Sequence, residues 1–144
     1  MGMADTCADV FDVGDLAGLS GLELLELLSR IEQARSRLES VLVGVLFRLK
    51  VLLGEARSDG ARSTAAWVEW KAGIPAQTVR ETLRVAERVE HLPVVAKHFA
   101  HGELEYSTVR ALTNAYRPET AAAFGRDEQL LVDHAKELTA RQFS

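Results

Sequence analysis

The sequence predicts an all-α protein, a helical bundle built on one long N-terminal helix with a helix-turn-helix-like unit after it. Three observations carry this expectation. The strong helix formers Leu, Ala, Glu and Arg dominate the 144-residue chain. Only three prolines interrupt it, and β-branched or aromatic runs are few. Apolar residues recur at steps of three and four, the period of a helix, instead of alternating as in a strand.

Residues 1–19 are acidic and glycine-bearing and read as a flexible leader; the helical domain is expected over 20–144. Ser20 opens the long helix. Glu23, three residues on, completes a capping box in which each side chain takes the other's free backbone N–H. Leu24, Leu28, Ile31, Leu38, Leu42, Val45, Leu49 and Leu52 then follow in alternating steps, with Arg35 breaking the row. Leu25, Leu27, Val41 and Leu46 widen the stripe beyond a narrow coiled-coil seam. The helix is predicted from Gly21 to about Leu53, or ~50 Å at ~1.5 Å per residue. That exceeds the width of a small domain, so one end projects or packs on another chain. Two readings stay open: the stripe faces the core of a bundle, or it pairs two copies into a homodimer.

Gly54 to Gly60 reads as a polar turn. Ser63 or Thr64 caps a short helix, Ala65 to Ala72, that carries Trp67, Val68 and Trp70 and stops at Gly73. Ile74 and Pro75 form a tight turn into a helix from Ala76 to about His91, whose core face is Val79, Leu83, Ala86 and Val89. Pro93 takes a first-turn position, where its missing N–H costs nothing. Val94 to His101 is the next helix, ended by Gly102, and Leu104 plugs the turn. Tyr106 to Ala115 follows with Val109 and Leu112 inward. Beyond Arg117-Pro118 two pieces are expected, Glu119 to Phe124 and Arg126 to Leu138, separated by Gly125. Thr139 and Gln142 have capping-box spacing, which predicts a further helix just beginning and hence a domain incomplete at its C-terminus.

The formal net charge is −4 and the pI near 5.6, so the whole-domain basic excess usual in nucleic-acid binding is absent. Any DNA contact must come from a local basic surface. The single cysteine, Cys7, cannot form an internal disulfide, which suits a reducing cytosol. Met1 to Asp15 lacks the basic start and apolar centre of a signal peptide. Val41 to Leu53 is interrupted by Arg48 and Lys50 and falls short of the ~20 apolar residues that a bilayer needs. A cytoplasmic protein with no membrane span is expected.

The strongest local signal is Thr64 to His91. Gly73, Ile74 and Val79 satisfy the turn glycine and the two apolar positions of a helix-turn-helix. The second helix carries Gln77, Arg80, Arg84 and Arg88. The arginines, four apart, stack along one side where they can meet phosphates, with Arg62 and Lys71 flanking; Gln77 or Arg80 lies near enough to the helix start to reach base edges. The competing reading is an ordinary solvated hairpin in which Glu81, Glu87 and Glu90 pair with those arginines. Glu69 also replaces the small residue that commonly sits midway along the first helix. A second unit, Ala96 to Ala115, repeats the pattern at Gly102, Leu104 and Val109 with one extra turn residue, and its mixed charges Lys97, Glu103, Glu105 and Arg110 favour packing.

His98 and His101 precede Glu103 and Glu105, yet there is no cysteine pair and no H-E-x-x-H, so they read as surface histidines and no metal is expected. G-x-S-x-G, G-x-G-x-x-G and a phosphate loop are absent. Neither catalysis nor a cofactor nor a small-molecule substrate is expected.

The run from Gly60 to Trp67 (Gly-Ala-Arg-Ser-Thr-Ala-Ala-Trp) followed by Gly73 resembles the central signature of the actinobacterial family DUF222, known also from the 13E12 repeat proteins. His91-Leu-Pro93, Gly102-Glu-Leu104 with Val109, Glu128 to Ala135 and Leu138 to Gln142 agree with it in order and spacing, as does the Leu-rich helix in front. The resemblance covers about Leu19 to Ser144. It implies a helical domain that precedes an HNH nuclease domain, and so an association with DNA cleavage; the HNH residues themselves are absent from this chain. Glu105 stands where the family commonly has a helix-capping Ser. The resulting expectation is a non-catalytic domain that binds or positions double-stranded DNA. The alternative is a protein-interaction or dimerisation module working through the long helix.

Overall fold

The computed structural model describes residues 13–56 and 64–142. Among them are six α-helices and no strand: α1 (Gly21–Ala56), α2 (Thr64–Ala72), α3 (Ala76–Val89), α4 (Pro93–Ala100), α5 (Tyr106–Ala115) and α6 (Ala121–Gln142). Short 3-10 turns cover Val13–Gly18, within the stretch read as leader, and Pro118–Thr120.

The α1 capping box forms as expected, with the Glu23 N–H donating to Ser20 Oγ at 3.2 Å and the Ser20 N–H to Glu23 Oε1 at 3.3 Å. α1 runs 36 residues, ~54 Å at ~1.5 Å per residue. Its buried positions, Ser36, Val43 and Leu46, all lie beyond its first four turns, and from Leu22 to Ile31 its apolar side chains are mostly exposed. The start of α1, up to about Ile31, thus projects beyond the core.

The core has two clusters. Val43 of α1 packs with Val85 and Ala86 of α3, Val95 and Phe99 of α4, Val109 of α5, and Phe124 and Val132 of α6, with Leu92 and Leu104 filling the turns. Leu46 holds Ala65 and Val68 of α2 against Val79 and Leu83. α3 contributes to both clusters, with Val79, Leu83 and Ala86 on its inner face as predicted and Val85 and Thr82 buried beside them.

Glycines in the left-handed region end α2 and α4. Gly73 has φ +73° and Gly102 φ +74°. At Gly102 the chain makes a Schellman motif: the Glu103 N–H donates to His98 O at 2.9 Å and the Gly102 N–H to Phe99 O at 3.0 Å. α1 grips the same end, since Arg37 Nε donates to His101 O at 3.1 Å and Gln33 Nε2 at 3.4 Å. The opposite end of α4 is capped across the fold. The buried carboxylate of Glu128 on α6 accepts the Val95 N–H at 2.8 Å, satisfying a first-turn donor and placing negative charge at the positive end of the helix. Glu128→Ala is therefore expected to destabilise the fold by about 1–3 kcal/mol in urea unfolding, with Glu128→Gln, which keeps an acceptor, losing less.

Three expectations are corrected. Gly125 does not divide the last segment: α6 is continuous through it, and a helix tolerates one such residue at a cost of ~1 kcal/mol. Thr139 lies inside α6, which continues to Gln142, so its spacing to Gln142 marks no new helix. α3 closes at Val89, two residues short of the predicted end. No helix among the described residues is long and apolar enough to cross a membrane.

Candidate functional site

Two surfaces answer to the residues singled out above. On α1, ~100° per residue (3.6 residues per turn) puts Ser36, Val43 and the half-buried Phe47 and Lys50 on the side facing the bundle. Ile31, Leu38, Val45 and Leu52 fall on the far side with Leu24 and Leu42 toward its edge, and all are exposed, Leu38 to 53% and Val45 to 49%. Leu28 lies on the flank of that stripe and Val41 at its other edge, both exposed. Leu49 differs: it is half-buried and packs against the cluster around Leu46. Most of the predicted stripe thus faces away from the core that α1 shares with the other helices. The core side of α1 mixes apolar and polar residues, with Val43 and Leu46 buried upon it beside Ser36, and Ser40 half-buried.

The second surface is the outer edge of α3. Arg80 and Arg84 are exposed, and Arg80 donates only to Gln77 Oε1, at 3.4 Å, among the described residues. Arg84 makes no hydrogen bond or ion pair among them. The glutamates between the arginines are engaged elsewhere: Glu81 pairs with Arg110 of α5 at 3.4 Å, and Glu87 with Lys50 of α1. Arg88 turns the other way. Its Nη1 donates to Thr113 O at 3.2 Å and to Asn114 Oδ1 at 3.1 Å, tying α3 to the C-terminal end of α5. Glu69, the departure from the usual helix-turn-helix pattern, accepts the Ala76 N–H and so caps α3, whose N-cap residue Pro75 offers no side-chain acceptor. A carboxylate thereby occupies the helix start where a phosphate would otherwise sit. Lys71 lies over the exposed ring of Trp70 at 4.0 Å from its centroid. Arg62 falls outside the described residues. Of the six predicted DNA contacts, Gln77, Arg80 and Arg84 are exposed on α3, and Lys71 is exposed at the end of α2 beside Trp70.

The histidines belong to a network around Glu103. His98 Nδ1 bonds the Glu103 carboxylate, Lys136 of α6 reaches it at 3.1 Å, and His101 stands at 3.9 Å. The hydrogen bonds from His98 and from Lys136 hold the Glu103 carboxyl down at about 2, against an ordinary 4.5. A carboxyl depressed by folding stabilises the fold above its unfolded value and loses that contribution as pH falls through the window from about 4.5 to about 2. Thermal midpoints are expected to drop across that window, and Glu103→Gln to flatten the part of the drop this group supplies. Among the described residues no group of three or more potential metal ligands occurs. A polar groove lies where α1 meets the start of α5, lined by Glu32, Arg35, Ser36, Glu39, Glu105 and Tyr106. Glu105 precedes α5 as its N-cap and makes no side-chain cap bond.

Comparison with known proteins gives one relationship. The model of the family described as domain of unknown function (DUF222) matches residues 25–144. No curated protein and no solved structure matches the chain.

Proposed function

Since the chain belongs to the DUF222 family, whose function is unassigned, we propose a role from its own geometry: it is an assembly module that joins a second copy of itself through the outward face of α1. The observation that carries this reading is the exposed row Leu24, Ile31, Leu38, Leu42, Val45 and Leu52 on the side of α1 opposite the bundle. Burying apolar surface contributes ~25 cal/mol per Å², and nothing within the described fold covers this row. Its seven-residue spacing from Leu24 to Leu52, with Leu42 set between Leu38 and Val45, is that of a helix-pairing seam. The projecting start of α1, up to about Ile31, fits the same role, because a helix segment with few tertiary contacts is marginal in water.

Hydrogen exchange across a concentration series tests it. Amides of residues 24–35 are expected to be protected at high concentration and to lose that protection on dilution, while α3 amides hold theirs. Concentration-independent exchange throughout α1 would count against the reading.

A second reading, DNA contact through α3, is favoured by the freedom of Arg80 and Arg84 from acidic neighbours. It agrees with the nuclease association that the family resemblance implies. The chain's charge of −4 and the Glu69 carboxylate at the helix start weigh against it. If it holds, affinity for a double-stranded oligonucleotide falls steeply with salt and is lost in Arg80→Glu/Arg84→Glu with the mass in solution unchanged.

A further inference from the structure

We propose that the second copy lies antiparallel along α1, centred near residues 36 and 37; this rests on the self-assembly reading. Arg35 falls in the seam row between Ile31 and Leu38; it pairs with Glu32 of its own helix at 3.0 Å and keeps its side chain 66% exposed. In a parallel, in-register pair the two Arg35 guanidiniums meet in one layer of an otherwise apolar interface. A single polar seam position is the kind of feature that selects register and orientation in helix pairs. In the antiparallel arrangement Arg35 faces the partner subunit's Leu38. There it also comes beside the partner subunit's Glu39, a residue with no ion pair among the described residues.

The ends of α1 carry the same preference. Its first two turns hold Glu23 and Glu26 before any basic residue, and Arg48 is exposed toward the other end. Parallel pairing stacks like charges at each end. Antiparallel pairing sets Glu23 beside the partner subunit's Arg48 and opposes the two helix dipoles. Lys50 is already held by Glu87, and Glu55 lies beyond the overlap. The partner is thus a second copy of this chain, head to tail.

Nitroxide labels on the full chain, in a Cys7→Ser background, read the orientation directly. Leu22→Cys is exposed on the side away from the stripe, and at Gly44→Cys nothing lies within 4 Å of the added Cβ. With ~1.5 Å rise per residue, the antiparallel pair separates the two labels axially by ~43 Å at residue 22 and ~22 Å at residue 44. A long separation at 22 with a much shorter one at 44, in a sample whose mass is that of two chains, is the expected result. Similar short separations at both sites in a two-chain sample overturn the orientation and leave the assembly reading standing. A one-chain mass overturns both.

Discussion

Leu38→Glu combined with Leu42→Glu is expected to leave the fold intact and reduce the mass in solution from two chains to one. Both side chains are exposed in the single chain, so their replacement removes little from its own core. In the pair the same side chains are buried, and four carboxylates enter an apolar seam. Losing four buried leucines, at ~1.5–3 kcal/mol each, costs about 6 kcal/mol or more, which is above about 10⁴-fold in the dissociation constant. Desolvating the new charges adds to that loss. Helical circular dichroism should be unchanged away from the ends of α1. Loss of α3 amide protection together with mass would place the two leucines in the fold and not between copies. Leu49, half-buried against Leu46, serves as the contrast: Leu49→Glu should destabilise the single chain itself.

The second large effect lies far from any proposed interface. Gly102→Ala is expected to lower the thermal midpoint by 10 °C or more. Two penalties coincide there. The residue has φ +74°, a conformation that costs an alanine ~1–2 kcal/mol. A Cβ at that position would lie 2.5 Å from the backbone oxygen of Gln33 and 2.7 Å from its Cγ, so α1 would have to move away. That movement would also separate His101 O from the Arg37 and Gln33 donors. A total of several kcal/mol follows, and each kcal/mol shifts the midpoint by ~2–8 °C in domains of this size range. Gly73→Ala shares the positive φ but has open space about it, so it should cost less. Equal losses in the two variants would show that conformation alone matters at Gly102.

The contrast between these glycines marks how far the sequence could be read. Local signals were legible. The Ser20 and Glu23 capping box, the Gly73 and Gly102 stops and the exact span of α5 all follow from chemistry within a few residues. The inner face of α3 was legible too, because its apolar spacing has only one side to occupy. What depended on distant partners was not. The contact between Gly102 and Gln33 joins segments far apart in the chain, as does the Glu128 cap on α4. Arg88 carries the same spacing as Arg80 and Arg84, yet it is consumed by Thr113 and Asn114 of another helix. Glu81 and Glu87 were candidates to neutralise the arginines and instead reach α5 and α1.

On α1 the ambiguity was physical. A core stripe and an intermolecular seam bury the same residue types at the same spacing, so periodicity cannot separate them. The bundle takes the face holding Ser36, Ser40, Val43 and Phe47, and the row from Leu24 to Leu52 is left outside. The failed break at Gly125 and the absent helix start at Thr139 have a simpler cause. The apolar residues of α6, Phe124 and Val132 among them, pack on the core across the glycine, and that packing outweighs one residue's propensity.

Sedimentation equilibrium of the unaltered chain over a wide concentration range tests the central claim most directly. A mass approaching twice 15.8 kDa, falling toward the single-chain value only on dilution, is what a self-pairing α1 predicts. A single-chain mass at every concentration would contradict it.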